Sequence, residues 1–530
     1  MNFKQKNDLF INGKTINMKK LYILSLLLVS EIVSAQSVSD IVRYSTTSKG
    51  SARMAAMGGA FGALGGDISS LGINPAGIGV FNNSEISITP YLNVARTKSA
   101  GQSTNDVSFQ LGTLGGVMTI HNKNSRWKSF NFAINYTNLN NFNRTMNQHV
   151  YNSTTSFSQI WALEANADLS LILNTSPLPE TIELNEILNS RSQMAYNTGL
   201  ILLNNTFEPT LLAGEEKIQH KYSKENGYQG EYDFSFGTNY KDKLYIGMTV
   251  GIQCIHYKYK SVFTGQGVEP DGNVNYFGLD KYNFEQRLKT KGVGTNFKLG
   301  IIYSPIAELR IGFAVHTPTY FSISDNYAES MHSEFLEPDE NNDTSYDSYI
   351  RPYDYDYDMQ TPGKVIFSLA SILFQKATIS IDYEYADYTK AKFSKGDDGE
   401  DYHETDGSGS NDLIKSTLKG THNFRFGTEY CFNNIFCLRG GYSYSSSPYK
   451  DIDIPRYLRS NPAIHAISTG LGLNFGILYV DVAYTYKFSK DITTFYFYQD
   501  PYNSDYDVIA TPIHNTYNNH QGFITLGMRF

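Results

Sequence analysis

From about residue 84 to the C-terminus, apolar residues repeatedly alternate with polar or small ones. Between Val480 and Phe488, large apolar residues occupy every second position, and Asp, Ala, Thr and Lys stand between them. The same alternation recurs in residues 130–136, 379–385 and 424–430. A period of two is that of a β-strand whose two faces meet different surroundings. The pattern therefore predicts a sheet with one apolar face and one polar face.

The connections between the predicted strands are alternately short and long. Tight links fall near residues 121–126, 241–243, 305–307, 375–377, 432–435 and 476–477, and long polar segments at 98–105, 142–216, 263–281, 323–352, 392–414, 450–463 and 491–517. Strands placed between them begin near residues 84, 106, 127, 217, 244, 282, 308, 353, 378, 415, 436, 464, 478 and 518. Outer-membrane barrels alternate periplasmic turns with longer extracellular loops in this way. We predict an all-β fold, a transmembrane antiparallel β-barrel of about 14 strands over residues 83–530.

Residues 154–210 do not follow this alternation. Their apolar residues have helix-like spacing: Phe157, Ile160, Trp161, Leu163, Ile182, Leu184, Ile187 and Leu188. We interpret them as short helices of a large extracellular loop, which either pack on themselves over the barrel mouth or form an apolar groove for ligand capture.

The N-terminus has the features of an export signal. Lys19 and Lys20 precede an apolar stretch from Leu21 to Val33, which is too short to span a bilayer and is followed by small residues ending at Ala35. We predict cleavage after Ala35, so that residues 1–35 comprise a signal peptide with an N-terminal extension. At the other end, the chain stops at Phe530 with Ile524, Leu526 and Met528 in the same phase. This ending resembles the C-terminal strand signature of proteins inserted by the barrel-assembly machinery. We therefore expect two partners for the protein, this machinery and outer-membrane lipid.

The segment before the first strand, residues 36–82, is rich in glycine and alanine. Asp67 is placed to cap one short helix, and Asn74 followed by Pro75 indicates the N-cap and first position of another. Small residues such as Gly58 and Gly59 allow close backbone packing. We predict a compact plug of short helices in the barrel lumen.

These residues resemble the FadL/TodX family of outer-membrane transport proteins. The family has an N-terminal hatch with a small-residue run, an acidic residue and an Asn-Pro-Ala-Gly motif, and here these are residues 60–66, Asp67 and Asn74-Pro75-Ala76-Gly77. The resemblance implies passive carriage of long-chain fatty acids or aromatic hydrocarbons, with an apolar pocket above a hatch that shifts. The very large predicted loop 142–216 differs from the enteric fatty-acid carriers, so their ligand contacts cannot be carried over.

Composition agrees with a barrel and argues against several other classes. The 530 residues include 40 Tyr and 32 Phe, a bias that favours β-structure, and the mean hydropathy is -0.36. The net charge of -8 and the lack of a basic stripe in the mature chain give no reason to expect a nucleic-acid partner. No enzyme motif is present, and we expect no catalytic residue, cofactor or metal.

Four questions remain open at the level of sequence. The acidic segments 337–358 and 397–412 are interpreted as solvated loops, although calcium binding is an alternative. The dispersed residues His256, His316, His422 and His465 leave a haem-binding alternative. Whether Cys431 and Cys437 pair, and whether the barrel wall has a lateral opening, are also undecided.

The sequence therefore predicts an outer-membrane transporter, exported as a monomer, that takes up hydrophobic small molecules passively. Our gating hypothesis assigns movement to the plug, with Gly58, Gly59, Asp67 and residues 74–77 as its motif. The alternatives are a structural or adhesive barrel that binds ligands through its loops, and a general porin or haem channel.

Overall fold

The computed structural model describes residues 10–11, 14–15, 37–45, 50–122, 124–151, 153–173, 188–212, 215–216, 218–267, 278–374, 376–394, 410–450, 462–498 and 507–530. The predicted signal from Met18 to Ala35 lies outside the described residues. So do Ile182, Leu184 and Ile187 of the predicted loop helices, and residues 395–409 of the predicted loop 392–414.

The main element is a closed antiparallel barrel, which confirms the predicted fold class. Eighteen strand segments form the wall, and four chain passes consist of two segments each, so the barrel has 18 − 4 = 14 passes. The last strand pairs with the first, with Arg529 opposite Glu85, which closes the sheet. Ten passes are continuous: β1 (Glu85–Ser99), β2 (Gln102–His121), β4 (Ile218–Tyr240), β5 (Leu244–Gln266), β6 (Leu279–Ile306), β10 (Gly420–Cys431), β11 (Phe436–Ser445), β12 (Ile464–Asn474), β13 (Leu478–Thr493) and β14 (Ile513–Arg529).

The remaining four passes are interrupted. They are β3 (Trp127–Asn141 and Arg144–Tyr151), β7 (Leu309–His316 and Tyr320–Phe335), β8 (Ser345–Gln360 and Lys364–Leu373) and β9 (Ala377–Asp387 and Lys392–Ser394). Both segments of β3 pair with β4, and both segments of β7 pair with β6, so each interruption leaves the wall closed.

The polar segment 323–352 is not the irregular loop that we expected. Most of it belongs to the second segment of β7 and the first segment of β8, which pair with each other. The prediction was wrong here because most side chains from residue 345 to 356 are exposed or half-buried. Hydrophobic alternation, on which the prediction depended, disappears where both faces of a strand meet water.

Five α-helices are described. Three belong to the connections, namely α3 (Phe157–Leu173), α4 (Ser190–Asn197) and α5 (Ser410–Thr417), and two precede the barrel, α1 (Val38–Tyr44) and α2 (Ala52–Ala56). Three 3₁₀ turns (Ile68–Gly72, Pro75–Val80 and Tyr388–Lys390) and three short strand pairs (10–11 with 14–15, 201–204 with 206–209, 497–498 with 508–509) complete the set. No described helix has the length and hydropathy needed to cross a membrane.

Side-chain exposure follows the alternation read from the sequence. On β13, Val482 and Tyr484 are 45% and 46% exposed, whereas Asp481 and Ala483 point into the lumen and are buried. The apolar set therefore faces outward, as lipid requires, and the polar set faces a filled lumen. Cys431 and Cys437 are directly opposite each other on β10 and β11 and form a disulfide, which answers the open question of their pairing.

Candidate functional site: a lumen divided by the N-terminal segment

The plug forms the floor of the lumen at the end with short turns. Asp67 caps the first 3₁₀ turn, since one carboxylate oxygen accepts a 2.9 Å hydrogen bond from the Ser69 backbone N–H and the other a 2.7 Å bond from the Ser51 hydroxyl. The Asn74 amide oxygen accepts from the Ala76 N–H at 3.0 Å, with Pro75 at the first helical position. Both predicted caps are confirmed.

Glycine allows the plug backbone to contact the wall directly. A Cβ added to any of six lumen-facing glycines would lie 1.9 to 2.4 Å from a plug atom: Gly237, Gly247, Gly300, Gly312, Gly427 and Gly441. On the plug side, Gly58 has a φ of +64° and its Cβ would lie 2.8 Å from the Tyr442 backbone, and a Cβ on Gly77 would lie 2.4 Å from the Ser70 hydroxyl. Gly59, with a φ of +80°, lies against Arg425. The motif residues are thus packing residues of the floor.

Polar wall side chains bind the plug backbone. The Asp382 carboxylate accepts from the N–H groups of Phe61 and Gly62 at 3.0 Å. The Asn131 amide donates to the Ile78 carbonyl at 2.5 Å, and His316 Nε2 donates to the Ile73 carbonyl at 2.9 Å. These bonds satisfy groups that a short, irregular segment would otherwise leave unpaired in a buried place.

A buried ion-pair network adds to this attachment. Arg53 of the plug is bidentate on Glu429 of β10, at 2.9 and 3.1 Å. Arg439 of β11 contacts the same carboxylate and also Asp481 of β13, both at 2.5 Å. Removing one member would leave an uncompensated buried charge, so the network holds α2 against three strands.

Helix α1 fills an apolar chamber higher in the lumen. Ile41 is fully buried and Tyr44 is 2% exposed. The chamber wall is aromatic and aliphatic, formed by Phe142, Ile255, Tyr257, Tyr259, Leu288, Phe321, Ile323, Tyr357, Met359 and Phe393. The Arg43 guanidinium lies over the Tyr257 ring at 4.6 Å, and Tyr44 packs edge-on against Tyr257 and Phe142.

A cavity lies between α1 and the plug. Tyr44 and Ser45 contribute on the α1 side, and Met54, Gly58, Gly59 and Ile73 on the plug side. The wall around it is polar, contrary to the apolar pocket that the family resemblance implied; it includes Glu231, Gln253, Asn296, Lys298, His316, Lys364, Glu384, Arg425, Lys487 and Gln521. The expected apolar surface exists, but it is the chamber that α1 occupies.

Most charges lining the cavity are paired. Lys298 donates to Glu231 at 2.6 Å and to Asp233 at 2.9 Å, and Arg425 donates to Glu384 at 2.5 Å. Lys487 has no ion-pair or hydrogen-bond partner among the described residues. An ammonium group without a partner in a mostly enclosed cavity favours an anionic or strongly dipolar occupant.

A cap closes the opposite end of the lumen. Helices α3 and α4 pack with residues 495–498 and 508–513 and with the upper parts of β5 and β6 into one apolar cluster around Trp161, Phe157 and Tyr496. This agrees with the self-packing interpretation of the predicted loop helices. Glu216 is buried beneath the cap, and burial raises its pKa to about 8 although Tyr282 donates to its carboxylate at 2.9 Å.

The histidines that suggested a metal or haem site do not converge. His316 binds the plug, whereas His422 and His465 lie on the outer face and accept hydrogen bonds of 2.8 Å from Tyr383 and Tyr442 when those hydroxyls donate. Within the described ranges, no group of His, Cys, Asp or Glu is arranged to hold a metal ion. Residues 397–409 of the second acidic segment lie outside those ranges.

Sequence reasoning placed the plug motif correctly but missed α1 and the cavity lining. Val38, Ile41 and Val42 do give a helical apolar spacing over residues 38–44 that was available as a signal. The residues that line the cavity come from many strands. They meet only because of the strand register across the whole barrel, which the sequence pattern does not reveal.

A closed barrel with an apolar outer face, filled by its own N-terminus, defines a plugged membrane-spanning β-barrel channel. Residues 241–496 match the model of the outer membrane protein transport protein family (OMPP1/FadL/TodX). Barrels of this family lie in the outer membrane.

The chain is similar to several solved structures. The chain is similar to a FadL homologue of Pseudomonas aeruginosa (11% identity, 92% of this chain and 98% of that chain, TM-score 0.52). It also matches the toluene transporters TodX of Pseudomonas putida (12%, 92% and 100%, 0.48) and TbuX of Ralstonia pickettii (14%, 91% and 98%, 0.47). No curated protein matches the sequence.

Proposed function

We propose that the protein takes up amphipathic small molecules passively, and that long-chain fatty acids fit its lumen better than aromatic hydrocarbons do. The supporting observation is the order of surfaces along the lumen. An apolar chamber lies next to a cavity with mostly polar wall residues, among them Lys487, which has no partner among the described residues. An alkyl chain suits the first surface and a carboxylate head the second, whereas a hydrocarbon has no group for the second.

The driving force is partitioning. Moving an alkyl chain from water into an apolar chamber gains roughly 0.8 kcal/mol per CH₂, so a long acyl chain enters without another energy source. Helix α1 already occupies this chamber, so the ligand has to displace it. The wall donates few hydrogen bonds to α1 and the residue after it: from Gln229 to the Tyr44 carbonyl at 3.0 Å, from Asn140 to the Arg43 carbonyl at 3.4 Å, and from Tyr388 to the Ser45 carbonyl at 3.0 Å.

The plug is attached more strongly than α1, through the Arg53 network and the bonds from the wall to its backbone. We therefore assign ligand entry to displacement of α1, and release toward the periplasm to a later shift of the plug segment from Asp67 to Gly77. Each step has its own moving part, and each can be blocked separately.

Two engineered disulfides test this order. Tyr44→Cys with Phe142→Cys would pin α1, because these two side chains pack against each other between the helix and the wall. Gly62→Cys with Ser368→Cys would pin the plug, because the Cβ positions would be 3.0 Å apart and a shift of about 0.5 Å brings them into the disulfide range. Thiol counting verifies that each disulfide has formed. Cys254 is replaced by Ser in both.

We expect the α1 pair, when oxidised, to abolish binding of a labelled long-chain fatty acid, and the plug pair to preserve binding but stop uptake by cells. Reduction should restore both activities. Full uptake with both pairs oxidised would refute the proposal, and a preference for toluene over the fatty acid in wild-type protein would refute the choice of substrate.

A further inference from the structure

A patch of positive charge lies on the outer face of β5 and β6, where the wall faces lipid. Lys258 is directly opposite Lys289, and Lys291 is directly opposite His256. All four side chains are exposed. Like charges directly opposite each other in an antiparallel pair are destabilising, so the Lys258–Lys289 pair costs stability unless something outside the chain compensates it.

No described carboxylate pairs with these lysines. Lys258, Lys289 and Lys291 form no ion pair with any part of the chain that the structure describes. Glu285 on the same face pairs with Lys260 and Arg287. The outward carboxylates of β8 (Asp354, Asp356 and Asp358) are separated from β6 by the uncharged outward residues of β7. Lys224 faces Lys260 from the neighbouring strand and adds to the excess of cations.

The position of the patch along the strands indicates its surroundings. Toward the end with short turns, the outward row on β5 runs from Leu244 to Cys254 and is apolar apart from the thiol. On the same face Val250 is 47% and Val293 56% exposed. About 9–11 tilted residues cross the hydrocarbon core of a bilayer. The lysines therefore begin where that core ends, at the headgroup level of the outer leaflet.

We propose that this patch, defined as Lys258, Lys289 and Lys291 with His256 beside them, binds the phosphate groups of outer-leaflet lipids. Lysine ammonium groups are compact charges that suit phosphate oxygens, and a lipid lying along the apolar row would place its phosphates beside them. The apolar row and the lysines would thus contact the two ends of one molecule. This inference concerns the outer wall and does not depend on the proposed uptake function.

The test uses the mature protein in a neutral detergent, with a bis-phosphorylated glycolipid and its dephosphorylated form as probes and native mass spectrometry as the readout. The variant carries Lys258→Gln, Lys289→Gln and Lys291→Gln. A matched control carries Lys241→Gln, Lys243→Gln and Lys376→Gln, which remove the same charge from exposed turns at the periplasmic end. A third variant replaces the three patch lysines by Arg.

We expect the patch variant to lose about 10-fold or more in affinity for the phosphorylated lipid. The periplasmic control and the Arg variant should stay close to wild type, and the dephosphorylated lipid should bind all four proteins weakly. Equal binding of the phosphorylated lipid by wild type and the patch variant would overturn the proposal, and so would equal binding of the two lipids by wild type. A folding defect would be recognised by loss of heat-modifiable mobility in the patch variant but not in the Arg variant.

Discussion

Helix α1 is the element whose perturbation bears most directly on ligand access. Ile41 is fully buried in the apolar chamber, so Ile41→Ala removes packing that no other residue replaces. Truncating a buried Ile to Ala costs about 2–5 kcal/mol in a protein core. For a short helix that is free to leave, we take the lower part of that range, about 2–4 kcal/mol, as the loss of docking free energy.

This loss converts into ligand affinity. If the chamber binds ligand only when α1 has left, apparent affinity is proportional to the population of the open state. A docking loss of about 2–4 kcal/mol then raises affinity by about 30-fold to several hundred-fold, until the open state predominates. The assay is equilibrium binding of a fluorescent fatty acid to protein in lipid nanodiscs. Val38→Ala is the matched control, because Val38 is on the same helix but only half-buried.

The direction of the affinity change in Ile41→Ala decides whether α1 competes with the ligand for the chamber. An affinity for Ile41→Ala equal to or below that of wild type would show that α1 forms part of the ligand site instead of competing for it. Unchanged thermal denaturation of the barrel is required in both variants, since Ile41 contacts the lumen and is not part of the wall.

Two further predictions concern the floor and the cap. Gly300→Val should displace the Asn74 loop, because its Cβ would lie 1.9 Å from the Asn74 amide oxygen. The displaced plug should then allow a steady current in planar bilayers. The control Gly440→Val, whose Cβ points outward, should show no such current. Burial raises the Glu216 pKa to about 8 from a usual 4.5, so the cap should be most stable below about pH 4.5 and lose stability as the pH rises through 8. Because amide exchange is itself base-catalysed, the readout is the protection of α3 relative to the intrinsic exchange rate at each pH. This protection should fall over that range in wild type but not in Glu216→Gln, and a constant protection in wild type would contradict the assignment.

The wall and the plug motif were predictable from sequence because their signals are local. Alternation along one strand separates Val482 from Asp481, and capping links Asp67 to Ser69 two residues away. The first segment of β8 escaped because exposure on both faces over residues 345–356 removes the alternation. The adjoining segment of β7 escaped because Asp325, Glu329 and Ser333 interrupt the apolar residues on its buried face. The polar cavity escaped because Lys298 and Lys487 lie on strands far apart in sequence, and no local pattern reports that they line one space.

The same distinction applies to α1. Its apolar spacing is visible at residues 38–44, but seven residues are too few to distinguish a lumen helix from the end of an export signal. Only the surrounding strands, which bring Tyr257, Phe321 and Tyr357 together, give the helix a place to bind.

The attachment of the plug has a consequence for how the molecule is assembled. The Ala52 N–H donates to Thr525 at 2.8 Å, across a sequence separation of 473 residues, and β1 pairs with β14. The barrel therefore cannot close until β14 pairs with β1, whereas the plug that it encloses precedes every strand of the wall in the sequence. The N-terminal residues must therefore lie inside the sheet when β1 and β14 pair. A chain that lacks β14 should consequently lose both the β1–β14 pairing and the attachment of the plug.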